Sequence, residues 1–193
     1  IIITMNVLNI FMCVRNNGDS LPTTFNNLDS LEKHFTNYIF KYHIFENDSE
    51  DNTKQVVVDF SRNHKVNCVF ETFKSLQWSD ERSFDRVKDM SFYRNRMKQL
   101  CSRFDNSEYS IILDTNVVFS IETLNSMIQI LEKNTKIHMV TPFGHLNSNN
   151  KKYYDTFALD LDSDIQSKHI LKKLTFEKMK CDLVKVKSAF AGF

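Results

Sequence analysis

A chain of 193 residues is long enough to bury one sizeable core, and chains of this size commonly stay a single domain. The formal net charge is +1, with 25 Lys and Arg against 24 Asp and Glu scattered along the sequence, so the basic footprint of a dedicated nucleic-acid binder is missing. The four cysteines, Cys13, Cys68, Cys101 and Cys181, lie far apart without a C-x-x-C, which excludes a compact zinc site or disulfide framework and leaves free, mostly buried thiols in the cytoplasm or another reducing compartment.

The opening run Ile1 to Val14 is apolar but carries Asn6 and Asn9, and it falls well short of the ~20 apolar residues of a membrane span. Val7 to Val14 therefore reads as a buried strand and not as an anchor or signal peptide, and no membrane span is expected. Because the chain opens on Ile and not Met, it reads as a piece with sequence missing upstream. Arg15-Asn16-Asn17-Gly18-Asp19-Ser20 supplies turn chemistry, with Ser20 as a candidate N-cap and Pro22 early in the helix that follows. From Thr24 to Phe35, the three- and four-residue spacing of Phe25, Leu28, Leu31 and Phe35 makes one apolar helix face.

A second strand, about Tyr38 to Phe45, empties into the acidic turn Phe45-Glu46-Asn47-Asp48-Ser49-Glu50-Asp51-Asn52-Thr53. Asp51 to Asn63 then reads as a helix carrying Val56, Val57 and Phe60, and Lys65 to Phe70 as a third strand. Strand and helix alternate, which predicts a mostly parallel sheet. Glu81 to Phe104 is the longest helical pattern, with Phe84, Val87, Phe92, Met97 and Leu100 as candidate inward positions. Tyr109 to Leu113 is an apolar strand ending at Asp114; a helix over Ile121 to Lys133, a strand over Ile137 to Val140 and a looser region through Leu159 follow, with Asn147 to Lys152 as a candidate mobile loop.

Three strand ends now offer polar groups: Arg15 to Asn17, Glu46 to Ser49, and Asp114 to Asn116. In a parallel sheet these ends share one edge, so residues a hundred positions apart converge on one ligand. Each taken alone is an ordinary solvated turn. Together they resemble the nucleotide-sugar glycosyltransferases of the GT-A fold. Phe45 to Thr53 lines up with their V-D-D-G-S-x-D-x-T segment, Arg94-Asn95 with their R-N pair, and Asp114-Thr115-Asn116 with their strand-terminal D-x-D. Tyr153-Tyr154-Asp155-Thr156-Phe157-Ala158-Leu159 resembles the Y-D-T-x-A-L segment of some fungal capsule-type sugar transferases, and Ser188 to Phe193 looks like the glycine-containing strand bordering their acceptor. The resemblance runs from about Val7 to Phe193 and rests on order and spacing more than on identity.

The resemblance implies an α/β fold, a three-layer α/β/α sandwich with a mostly parallel central sheet of Rossmann-like, GT-A type. It implies a single domain over 1–193, with a nucleotide-binding half over about 1–116 and an acceptor-side half over about 117–193, truncated at both ends. Cys13, Val14 and Arg15 would border base and ribose. Glu46, with Asp48 in the same turn, would face the nucleotide, the carboxylate accepting a hydrogen bond from the base. Arg94 would face the diphosphate or support the metal motif; its structural alternative is a salt bridge to Asp89, Asp85 or a strand-end carboxylate. Asp114 would approach the ribose or a Mn or Mg ion and serve the chemistry, while Asn116 stands where the family has a metal-binding carboxylate and keeps only an amide oxygen. Asp155 would touch donor or acceptor hydroxyls, or replace the catalytic base that the family carries after its glycine strand; otherwise that base lies beyond Phe193 or the enzyme retains configuration.

The expected function is metal-assisted transfer of a sugar from a nucleoside-diphosphate sugar, a UDP-sugar first and a GDP-sugar second, to a hydroxyl of a glycan, protein or small-molecule acceptor. A non-catalytic nucleotide-sugar or protein-binding module of the same fold, and a nucleotidyltransferase, are the alternatives. The six histidines form no H-x-x-x-H pair, and G-x-S-x-G, P-loop and G-x-G-x-x-G signatures are missing, which argues against a histidine metal site, a hydrolase elbow, an NTPase and a dinucleotide oxidoreductase.

Overall fold

The computed structural model describes residues 5–73, 84–101, 107–115, 117–142, 160–161 and 186–188; for 84–87, 101, 160–161 and 186–188 it describes the backbone alone. The chain divides into two compact units, Ile1–Val118 and Phe119–Phe193. In the first, β1 (Asn6–Val14), α1 (Leu21–His34), β2 (Tyr38–Asn47), α2 (Thr53–Ser61), β3 (Val66–Glu71), α3 (Phe84–Cys101) and β4 (Tyr109–Ile112) alternate along the sequence. The four strands form one sheet in the order β3-β2-β1-β4, and every neighbouring pair is parallel. The architecture is α/β, as the alternation predicts.

Strand β1 is central, and Leu8, Ile10, Met12 and Val14 on one of its faces are at most 1% exposed, which is the expected reading of an apolar run inside a parallel sheet. The predicted apolar stripe of α1 is buried in full: Phe25, Leu28 and Leu31, with Phe35 at the C-cap. Phe25 stacks on Phe60 of α2 with ring centroids 3.9 Å apart, and Phe60 meets Tyr42 of β2 edge-on at 5.1 Å. A second cluster joins Phe45 of β2 to Tyr93 and Met97 of α3, with Phe11, Cys13, Val69, Phe73 and Leu100 around it. Tyr42 and Phe45 have opposite parity in one strand, so the two clusters lie on opposite faces of the sheet. At about 1.5–3 kcal/mol per large buried apolar side chain, these two clusters supply much of the drive to fold.

Three local expectations are corrected. Phe92 is 46% exposed, and its neighbour Tyr93 is the buried ring, at 2%; in so charged a helix the apolar pattern fixes the phase poorly, and one residue is a 100° rotation. Ser20 does stand before α1, but its backbone is already helical, and its hydroxyl donates to the Asn17 carbonyl (3.2 Å) and does not cap a backbone amide. Residues Ile137 to Val140 form no strand, and Met139 is 74% exposed; a four-residue apolar run is too short to specify pairing without a neighbour.

In the second unit, α4 (Ile121–Lys133) matches the predicted span and begins with Ser120 accepting the Thr123 amide at 3.2 Å. A two-residue strand β5 (Asp160–Leu161) pairs antiparallel with β6 (Val186–Ser188). No helix among the described residues is long and apolar enough to cross a membrane.

Candidate functional site

The chain builds outward from β1 to β2 and β3 on one side, then returns to lay β4 on the other side of β1. The loops leaving β1 and β4 therefore part at the carboxyl edge of the sheet, where open α/β sheets bind ligands. A cleft of about 550 Å³ lies there. Its walls are Cys13 to Asn17 at the end of β1, Asn47 closing β2 and Glu50 after it, Met90 and Tyr93 from α3, and Asp114 and Thr115 after β4.

One wall is a pair of turns stitched together by side chains. Four successive amides of the β1–α1 turn each donate to a side-chain oxygen: Arg15 to Asn17 Oδ1 (3.0 Å), Asn16 to Ser49 Oγ (3.0 Å), Asn17 to Thr53 Oγ1 (2.7 Å) and Gly18 to Asp51 Oδ2 (2.9 Å). The Glu50 amide returns a bond to Asn16 Oδ1 at 2.9 Å. Asn16 and Asp48 sit in the left-handed region, at φ 48° and 52°, which Asn and Asp tolerate better than most residues. A Cβ on Gly18 would overlap the oxygen of the exposed Asn52 side chain, which would have to move aside. The slight desolvation of the exposed Asp51 carboxyl pushes it up, but bonds from the Thr53 hydroxyl and the Gly18 and Thr53 amides outweigh this and hold the group below the usual carboxylate range.

The opposite wall carries the charge chemistry. Arg94 Nη2 on α3 lies 3.2 Å from Asp114 Oδ1, with side chains 21% and 28% exposed, so the carboxylate is oriented yet reachable. The next residue, Thr115, is buried, and its carbonyl accepts the Thr24 hydroxyl of α1 at 2.7 Å. Helix α3 is itself fixed to the end of β3 by Arg96, whose Nε and Nη2 both reach the Glu71 carboxylate, the shortest distance being 2.6 Å. Burial pushes the Tyr93 hydroxyl up, with the nearby Arg15 guanidinium opposing, so this cleft residue stays a neutral donor at ordinary pH.

The sequence-predicted residues divide accordingly. Cys13, Val14, Arg15 and Asp114 line the cleft, and Arg94 joins it through Asp114, realising the strand-end partner among its alternatives. Glu46 is not among the residues that line the cleft. It is fully buried, with Oε1 accepting the Ser49 amide at 2.8 Å and Oε2 lying 3.8 Å from Lys54 Nζ. Asp48 is also turned to a structural partner, the Phe73 amide, at 3.0 Å from each carboxylate oxygen. Asn116, Asp155, the Asn147 to Lys152 loop and Phe190 to Phe193 lie outside the described residues. Cys13 and Cys68 are in no disulfide and are half-buried, more open than expected, the Cys13 thiol donating to Met97 Sδ at 3.7 Å. Tyr93, Met90 and Thr24 were missed; Tyr93 is recoverable only by shifting the α3 register one residue from Phe92, and Thr24 carries no sequence signal.

Among the described residues no group of three or more His, Cys, Asp or Glu side chains is disposed to hold a metal. Mg and Mn sites often use one or two carboxylates together with phosphate oxygens and water, and a reachable Asp114 beside the cleft suits a cation that arrives with a diphosphate. No protein-family model matches the chain, and no curated protein matches it.

Proposed function

We propose that this chain is a GT-A-type, three-layer α/β/α glycosyltransferase domain that binds a nucleoside-diphosphate sugar, UDP-linked first and GDP-linked second, and transfers the sugar to an acceptor hydroxyl. The observation that carries this reading is the Asp114 carboxylate, oriented by Arg94 at 3.2 Å, on the rim of a cleft where β1 and β4 part. In that reading Cys13, Val14 and Arg15 border the nucleoside, Asp114 with Asn116 holds Mn or Mg, and Arg94 keeps the Asp114 carboxylate aimed and supplies positive charge toward the diphosphate. The cation, when bound, offsets charge on the leaving diphosphate. Asp155 belongs to the acceptor side.

The saturated β1–α1 turn favours this reading over a nucleotidyltransferase. A triphosphate cradle needs backbone amides at the first turn, whereas those of Arg15 to Gly18 already donate to Asn17, Ser49, Thr53 and Asp51. Phosphate recognition then falls to the β4 side of the cleft. Calorimetry with UDP, UDP-sugars and GDP-mannose, with and without Mn, tests the proposal: binding strengthened by Mn is expected, and no binding to any of them overturns it. Binding without slow hydrolysis or transfer of the sugar would instead identify a non-catalytic module.

A further inference from the structure

We infer that Thr24 is a positioning residue for the Asp114 turn: its hydroxyl, reaching from the first turn of α1 to the Thr115 carbonyl, holds the backbone that presents Asp114 to the cleft. The inference rests on the nucleotide-sugar reading above, since it gives the Asp114 carboxylate a ligand to meet. A threonine inside a helix ordinarily satisfies its hydroxyl on the carbonyl four residues back. Here that carbonyl, of Ser20, is 3.4 Å away, while the Thr115 carbonyl, 91 residues along the chain, is at 2.7 Å. One hydroxyl has one proton, and the shorter bond claims it.

The bond is buried at both ends, Thr24 being 3% and Thr115 6% exposed, so water cannot replace it readily. Fixing the Thr115 carbonyl fixes the peptide unit that leaves Thr115, one residue beyond Asp114, and so restrains the turn on which Asp114 sits. Arg94 fixes the carboxylate itself. The motif is thus held by two struts from different helices, one on the backbone and one on the side chain. The α1 strut also starts from the stitched turn, because the Ser20 and Leu21 amides both donate to the Asn17 carbonyl, at 3.0 and 2.9 Å, and Asn17 is bonded to Thr53. Asp114 is therefore set in register with the nucleoside end of the cleft.

The test uses the full chain and UDP, titrated in Mn and again in EDTA, for the wild type, Thr24→Val, Thr24→Cys and Thr24→Ser. Losing one buried hydrogen bond corresponds to roughly a tenfold effect. Thr24→Val and Thr24→Cys should lose about that factor in the Mn-supported affinity for UDP while the affinity in EDTA stays unchanged, and Thr24→Ser, which keeps the hydroxyl, should restore it. If the valine variant fails to fold, the cysteine variant, close to threonine in size and a poor donor, carries the comparison. An unchanged Mn enhancement in a folded variant lacking the hydroxyl, or equal losses with Mn and in EDTA, overturns the role of Thr24 and leaves the nucleotide reading standing. A wild-type chain that binds UDP under neither condition overturns both.

Discussion

The two walls of the cleft show opposite uses of polar side chains. On the β1–β2 side, the Asn16, Asn17, Ser49, Asp51 and Thr53 side chains accept the turn's own amides, so the most acidic stretch of the sequence behaves as a clamp. On the β4 side, the Asp114 carboxylate takes one of its bonds from a cation on a long side chain, Arg94, at 3.2 Å. Density of polar residues in this turn thus marks where the backbone needs partners, whereas the proposed ligand contact is a single oriented carboxylate at the switch point.

The largest expected effect that would break this contrast lies on the clamp side. Thr53 is fully buried and accepts the Asn17 amide at 2.7 Å, so Thr53→Val, which keeps the shape and strands that amide, should cost about 1–3 kcal/mol in a urea titration. UDP affinity of the folded variant should change little; a large loss of affinity with unchanged stability would reverse the roles of the two walls. Arg94→Met should show the mirror image. Its pair with Asp114 is partly exposed and contributes under about 1 kcal/mol to stability, yet UDP affinity in Mn should fall about tenfold.

Gly18→Ala sharpens the steric side of the clamp. The added methyl meets the end of the Asn52 side chain, which can swing aside, so a loss of about 1 kcal/mol is expected and Asn52→Ala in the same chain should recover it. The smallest effect is in acid. The Asp51 carboxyl is lowered in the folded state, so its contribution to stability is full above the ordinary carboxylate value of 3.8 and is lost as pH falls below it. Because Asp51 is exposed, solvent screens this contribution, and the urea midpoints of wild type and Asp51→Asn should differ slightly at pH 7 and approach each other as pH falls below 3.8.

Periodicity was enough to find the elements of the first unit within a few residues, because each carries an apolar face that only one secondary structure can bury: Leu8, Ile10 and Met12 on a strand, Phe25, Leu28 and Leu31 on a helix. It failed at α3, where charges dilute the pattern and Tyr93 took the place given to Phe92. The strand-end logic found Cys13, Val14, Arg15 and Asp114 at the cleft. At the turn after β2 it reached only part of the way, because sequence tells that Glu46 and Asp48 are acceptors but not whether a ligand or a backbone amide reaches them first. Ser49 and Phe73 do. Contacts such as Thr24 to Thr115 join residues 91 apart and leave no local trace at all.

The central claim, that the β4 side of this cleft handles a nucleoside diphosphate, is tested most directly by titrating UDP with Mn into the wild type and into Asp114→Ala. Binding by the wild type that is largely lost in the folded variant is the predicted result. No binding by the wild type, or equal affinity in the two, would contradict it.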